Sequence, residues 1–192
     1  HRLAGIAVAS VAAILAARAW PGLFAQISGI PFALIGLSLS IFMSFRNSAC
    51  YDRWWEGRKQ WGALIIASRS FARLTSSLPE EERAPLLRGV CGFTNGLAAR
   101  LRQHDEAAAI GRWVNDGPWR TSPNPTDTVL YEMGAHCLRL SADEKINPIH
   151  HSLIEGQLKA LSDVQAACER IASTPVPFSY SLILHRTTYV FC

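Results

Sequence analysis

An uncharged apolar stretch from Pro31 to Phe45 is followed directly by a segment crowded with Arg, Trp, Asp and Glu. An earlier run, Leu3 to Trp20, is also apolar, and its 18 residues, at about 1.5 Å each, lie at the lower limit of length for crossing a hydrocarbon layer of ~30 Å. Pro21 and Gly22 end that run, and Pro31 suits the first turn of the next helix. The pattern predicts a hydrophobic membrane hairpin over residues 1–45.

Residues 46–174 show helical rather than strand periodicity. Apolar residues recur at helical spacing between Trp61 and Ala72 and between Leu86 and Leu101, and further helices are predicted over Thr126–Leu140 and Ile149–Ala172. Polar, Pro-marked or Gly-marked joins fall at Ser76–Glu82, Asp116–Pro125 and Ser141–Pro148. No alternating pattern of strand length is present. The sequence therefore predicts an all-α chain, with a membrane hairpin followed by long cytosolic helices.

The last segment, residues 175–192, becomes apolar again after the Pro-rich stretch that ends at Pro177. It predicts the start of a further membrane helix, in which His185 and Arg186 face an inner surface or the membrane interface. The chain begins at His1 and stops within this apolar run. We therefore expect it to be a fragment of a longer protein.

Positive charge in this chain, which has a formal net charge of +4, comes mostly from arginine, with only Lys59, Lys145 and Lys159 as lysines. Arginine holds carboxylates with a two-pronged donor fork, so ion pairs and subunit contacts are favoured over a nucleic-acid surface. Basic residues crowd after Phe45, which predicts that residues 46–174 lie on the cytoplasmic side of the membrane. A secretory signal peptide is the alternative for the first apolar run. The missing cleavage site and the second apolar run disfavour it.

The sequence contains only weak signals for a catalytic site or a metal site. The five cysteines are far apart, include no CxxC pair and have an odd total, which argues against a disulfide framework and a zinc site. His150 and His151, with His136 and Cys137 upstream, suggest a metal site, but adjacent helical residues point about 100° apart. A surface or pore-lining role is favoured. With no nucleophile–base pair either, we expect no enzyme activity, metal or cofactor.

Two long segments carry a family resemblance. FRNSACYDRWWEGRKQWG, from Phe45 to Gly62, and CERIASTPVPFSYSLILHRT, from Cys168 to Thr187, resemble bestrophins of the bacterial branch. The resemblance implies a homopentamer of helical subunits around one central pore, through which small inorganic ions pass passively. Chloride is the family's usual ion, bacterial members include cation channels, and an apolar neck leaves the sign of the ion open.

The resemblance also implies roles for particular residues. Leu37, Ile41 and Phe45 match three apolar residues of the family's pore neck, and Ile149 matches its cytosolic aperture. Residues at i, i+4 and i+8 share one helix face, so five copies would stack three apolar rings that gate by dewetting. Without the resemblance, the same stripe reads as a face buried against neighbouring helices.

The polar segment after the neck carries Arg46, Asp52, Arg53 and Glu56, which helical spacing allows to form ion pairs. Arg46 could instead attract anions toward the pore. The tryptophans Trp54, Trp55 and Trp61 are interpreted as membrane-interface anchors and subunit packing. The calcium clasp of animal bestrophins lies beyond the end of this chain, so it is not carried over.

Two other function classes remain open. One is a non-conducting, membrane-anchored helical protein in which residues 46–174 act as an interaction or sensor domain. The other is a membrane-bound metalloenzyme that uses the histidines. Oligomeric state distinguishes the first from a channel, and tightly held metal would be required for the second.

Overall fold

The structure is a computed structural model, and it describes residues 2–24, 28–176, 182 and 186–188. Its regular elements over these residues are all helical, which confirms the all-α prediction. The α-helices are α1 (Arg2–Ala19), α2 (Pro21–Phe24), α3 (Ile30–Leu74), α4 (Glu80–Leu101), α5 (Glu106–Ile110), α6 (Pro125–Ala142) and α7 (Pro148–Ser173). Single 3₁₀ turns lie at Thr75–Ser77 and Pro118–Thr121. Most of the predicted helix over 175–192, His185 included, lies outside the described residues.

Local sequence explains where the helices begin. Asn124 caps α6 by accepting a hydrogen bond from the Asp127 amide (3.3 Å), and Asn147 caps α7 by accepting one from the His150 amide (2.8 Å). Both helices then open with a proline, whose missing N–H costs nothing in the first turn. Three glutamates in the first turn of α4 complement its dipole. The pattern missed α5 and the 3₁₀ turn at Pro118–Thr121, because both are too short to show a period.

The chain divides into two compact units, which we describe separately. The first, here called the apolar unit, is His1–Arg53 with Pro175–Cys192, and it contains α1, α2 and α3 as far as Arg53. The second, the core unit, is Trp54–Thr174 and contains the rest of α3 and helices α4 to α7.

The core unit has a continuous hydrophobic core. Leu64, Ala67 and Phe71 line one face of α3 and are buried, as the helical period requires. The side chains from the other elements that are at most 1% exposed include Leu86, Phe93, Leu97, Ile110, Trp119, Val129, Ile154 and Leu161. Small residues let the helices approach closely: a Cβ on Gly96 would lie 2.8 Å from side-chain atoms of Ile110 and Thr126. The indole Nε1 of Trp119 donates to the Asn115 carbonyl (3.0 Å).

A polar network joins four helices of the core unit. Arg100 on α4 contacts Glu106 on α5 through Nη1 and Glu169 on α7 through Nε, each at 2.9 Å. The buried Thr126 hydroxyl on α6 donates to the other oxygen of Glu106 (2.9 Å). Half-buried charges are tolerated here because each has a partner.

The apolar unit buries far less. By length and composition, one helix among the described residues is able to cross a membrane, within Ile30–Ser77, and none of its most apolar window is buried. A shorter apolar helix covers Ala4–Ala19. That residues 1–45 form a membrane hairpin stays a prediction.

Candidate pore-lining residues

The three predicted neck residues lie on one continuous helix and are exposed. Leu37 is 60%, Ile41 46% and Phe45 59% exposed, on a part of α3 without a break. Four residues advance an α-helix by about 6 Å, so the stripe is about 12 Å long. The nearby hydroxyls of Ser38 and Ser40 donate to the carbonyls of Leu34 (2.9 Å) and Gly36 (3.0 Å). Bonded within their own helix, they leave the surrounding surface apolar.

The predicted aperture residue, Ile149, is held at a well-defined helix start. Ile146 is only 4% exposed, whereas Ile149 in the first turn of α7 is 77% exposed. The Asn147 cap and the proline at position 148 fix the backbone between them. An exposed isoleucine therefore lies in the first turn of a helix whose start is capped.

His150 fixes this turn to the end of α3, a contact that sequence reasoning missed. Its Nε2 lies 2.6 Å from the carbonyl oxygen of Leu74, the last residue of α3. The last carbonyls of a helix have no hydrogen-bond partner within the helix, so the His150 side chain supplies a partner that the Leu74 carbonyl otherwise lacks. A polar residue in the first turn of an otherwise apolar helix start was the available signal, and the separation of 76 positions hid the pairing.

Two of the candidate metal-binding histidines lie beside carboxylates of the same chain. His151 Nε2 lies 3.6 Å from Glu155 Oε1, and His136 Nε2 lies 2.9 Å from Glu82 Oε2. Over the ranges that the structure describes, no group of three or more His, Cys, Asp or Glu side chains is arranged to hold a metal ion.

The polar segment after the neck makes a long-range contact. Glu56 pairs with Arg170 of α7, across 114 positions of sequence. Arg46 and Arg53 are half-buried and Asp52 is exposed. That these three pair with one another, or that Arg46 acts on ions, stays a prediction.

Glu82 joins α4 to α6 and to the turn after α6. Besides His136, it accepts a hydrogen bond from the Lys145 ammonium (2.5 Å). The hydrogen bonds from Lys145 and, second, His136 lower the pKa of Glu82 below its usual 4.5. The hydrogen bond to Glu82 in turn raises the pKa of Lys145 above 10.5.

The buried thiols are unreactive. Burial, with a smaller contribution from the Glu155 carboxylate, raises the pKa of Cys137 to about 11. Burial also raises the pKa of Cys168. Both stay protonated at neutral pH, so neither is a nucleophile or a ready metal ligand.

Known proteins resemble this chain along its whole length. The sequence profile of a family described as Bacterial/Fungal Bestrophin protein matches residues 1–192. A voltage-dependent anion channel-forming protein of Mesorhizobium japonicum is 40% identical over 98% of this chain. The protein YneE of Escherichia coli K12, with the same description, is 36% identical over 84% of it. The chain spans 62% and 55% of these two relatives, respectively.

Solved structures give the same result. A crystal structure of a point mutant of a bacterial bestrophin homologue from Klebsiella pneumoniae matches with a TM-score of 0.88 and 34% identity, covering 95% of this chain and 70% of that one. A second mutant of the same homologue matches with a TM-score of 0.88 and 33% identity, over 95% and 72% of the two chains. The profile match over all 192 residues and these helical structures agree with the two motifs at Phe45–Gly62 and Cys168–Thr187. The chain belongs to the bacterial and fungal bestrophin family.

Proposed function

We propose that this chain is part of a subunit of a homopentameric ion channel, which lets small monovalent ions move passively through a bacterial inner membrane. The observation that carries the proposal is the exposed apolar stripe of Leu37, Ile41 and Phe45 on an uncharged helix segment. The described residues leave this stripe exposed, so it is available to lipid, to other copies of the subunit or to segments of a longer chain. Family membership favours other copies.

The stripe explains how such a channel would gate. Five copies around an axis form three stacked apolar rings, about 6 Å apart along the helix. Water in a narrow apolar constriction loses more hydrogen bonds than it gains, so the neck dries and blocks hydrated ions unless it widens. Ile149, exposed on a fixed backbone, would form a second constriction. Conduction of this kind requires no cofactor and no enzyme chemistry.

Charge placement supports the proposed topology. The segment from Arg46 to Lys59 carries several basic residues immediately after the apolar helix. The positive-inside rule then places residues 46–174 in the cytoplasm of a multi-pass protein. The relatives are described as anion channel-forming, and fixed positive charge at Arg46 would raise the local anion concentration. We therefore propose an anion as the permeant ion.

The test is ion flux from liposomes that contain the full-length parent protein. Ile41→Ala and Phe45→Ala remove apolar bulk from the rings, so each should wet the neck more readily and raise flux several-fold. Met43→Ala is the matched control, because Met43 is also exposed (52%) but lies on the opposite side of the helix from Ile41. Unchanged rates and selectivity in both neck variants would remove the neck from the proposal.

Reversal potentials measured under an asymmetric KCl gradient show whether the channel conducts the anion or the cation. An anion channel shifts the potential toward the chloride equilibrium value, and a cation channel toward the potassium value. The second outcome would overturn anion selectivity and leave the channel itself intact. A solubilised parent that is monomeric by light scattering would instead favour the membrane-anchored interaction protein.

A further inference from the structure

Two exposed surfaces of the core unit are left without a partner in the described chain. The first, which we call the basic ridge, consists of Arg58, Trp61, Ile65 and Arg69 on α3. The second, which we call the acidic groove, is a trough of about 810 Å³ between α6 and α7.

The basic ridge is a single helix face. Its residues follow one another at steps of three, four and four, which keeps them within one stripe of an α-helix. Trp61 is 37% and Ile65 51% exposed, although neighbouring Leu64 is only 3% exposed. The core therefore takes one side of α3 and leaves this one. Arg58 and Arg69 are exposed, and neither has an ion-pair partner among the described residues.

The acidic groove has an apolar floor and carboxylates on its walls. Leu130 and Leu158 form part of the floor and are each 5% exposed, while Tyr131 (74%) and Leu138 (61%) stand at the rim. Gly134 and Ala135, between the rim residues, keep the trough open.

Its charge is predominantly negative. Asp127 and Glu155 line the groove, and so does His151, whose Nε2 lies 3.6 Å from Glu155 Oε1. Lys159 is the lysine in the lining, but its ammonium lies 2.7 Å from Asp163, which takes up its charge. The groove thus offers apolar surface flanked by carboxylates, whereas the ridge offers apolar surface flanked by guanidinium groups.

We propose that the basic ridge of one copy of this chain seats in the acidic groove of the next copy. The contact is helix in groove: Trp61 and Ile65 enter the trough, while Arg58 and Arg69 reach the carboxylates of Asp127 and Glu155. This inference rests on the proposed homo-oligomer, for which it supplies the contact surfaces. A second copy is the favoured occupant because both complementary halves are present on every subunit.

The geometry of such a contact leads to a ring. The two halves are different surfaces, on α3 and on α6 with α7, so the interface is heterologous rather than two-fold symmetric. Each subunit then has one ridge and one groove to offer, and repeated contacts close into a ring if the rotation between neighbours permits. A pentamer is one such closed ring.

Cysteine cross-linking of the full-length parent tests the contact directly. Trp61 or Ile65 is replaced by Cys together with Tyr131→Cys or Leu138→Cys, in a Cys50→Ser background that removes an exposed native thiol. A disulfide needs Cα atoms within about 7 Å, so only a seated ridge gives a ladder of dimer to pentamer bands on a non-reducing gel. Ile66→Cys, paired with the same groove substitutions, is the control, because exposed Ile66 lies about 100° away on α3.

Charge exchange provides a second, independent readout. Arg58→Glu with Arg69→Glu should shift the solubilised protein from pentamer toward smaller species by light scattering, and Asp127→Lys with Glu155→Lys should do the same. Combining all four substitutions should restore the pentamer, since opposite charges again face each other. Lys59→Glu, on another side of α3, is the matched control and should leave the pentamer unchanged.

The outcomes separate this inference from the channel proposal. A wild-type parent that is monomeric overturns both. A pentamer that resists both charge reversals and gives no ridge–groove cross-link overturns the ridge and groove contact alone, and would assign the ridge to the membrane surface. Dissociation that the fourfold exchange does not reverse also overturns the contact.

Discussion

The apolar unit and the core unit contain the same kinds of side chain with opposite surroundings. Phe93 in the core unit is 0% exposed, whereas Phe45 in the apolar unit is 59% exposed; Ile154 is 0% exposed and Ile41 46%. The residue type is the same, so the difference lies in where the partners are. Among the described residues, the core unit covers its own apolar side chains, and the apolar unit leaves such side chains exposed.

Polar groups follow the same division. In the core unit, charges meet across helices, as Arg100 meets Glu106 and Glu169. From Pro31 to Phe45 the chain has no charge at all, and Ser38 bonds to its own helix. The core unit thus pairs charges across its helices, whereas the segment from Pro31 to Phe45 has no charge to pair.

The strongest test of this comparison is the same substitution in both units. Phe93→Ala should lower the free energy of unfolding of the core unit by about 3–5 kcal/mol, because a fully buried phenyl ring leaves a cavity. Phe45→Ala should leave that free energy nearly unchanged and alter ion flux instead. Urea unfolding followed by tryptophan fluorescence, to which fully buried Trp119 contributes, measures the free energy of unfolding of each variant. The liposome assay measures the ion flux. Equal losses of stability in the two variants would contradict the division into two kinds of apolar surface.

Two glycine-to-alanine substitutions compare a closely packed helix position, Gly96, with an open one, Gly57. Gly96→Ala adds a methyl group 2.8 Å from atoms of Ile110 and Thr126, so it should cost about 1–3 kcal/mol through overpacking. Gly57→Ala, on α3 with nothing within 4 Å, should stabilise by up to about 1 kcal/mol through helix propensity. Melting temperatures of the two variants give the sign of each change. A stabilising Gly96→Ala would show that α4 does not approach α5 and α6 this closely.

The smallest effect is the pH dependence of the Glu82 contact. The pKa of Glu82 is lower in the folded chain than its usual 4.5, so its contribution to stability is complete above pH 4.5 and is lost as pH falls through the lowered pKa. Lys145 has a raised pKa, so its contribution is complete below pH 10.5 and is lost as pH rises through that raised pKa. Glu82→Gln should therefore lower the melting temperature at pH 7.

The acid side provides the check on this prediction. The gap in melting temperature between Glu82→Gln and wild type should narrow as pH falls below 4.5, because both chains then carry a neutral group there. Glu81→Gln is the control, since Glu81 is exposed in the same first turn of α4. A gap that is independent of pH would mean that the carboxylate charge contributes nothing.

Helix positions could be predicted closely from the sequence. The Pro and Gly breaks and the 3.6-residue period predicted Ile149–Ala172 where α7 runs Pro148–Ser173, and Thr126–Leu140 where α6 runs Pro125–Ala142. The two motifs predicted the family, because long irregular matches are specific. Short elements such as α5 escaped, since five residues show less than two turns of any period.

The amino-acid sequence by itself determined the helices, the apolar segment without charges and the family, because these depend on local periodicity and composition. Tertiary structure alone decided which face of α3 the core covers. Leu64 is buried, whereas the neighbouring side chains Trp61 and Ile65 are exposed. It also decided the partners of Glu56 and of the Leu74 carbonyl, which lie 114 and 76 positions away. Helical spacing governs neighbours three or four residues apart, whereas these contacts arise only when separate helices pack together.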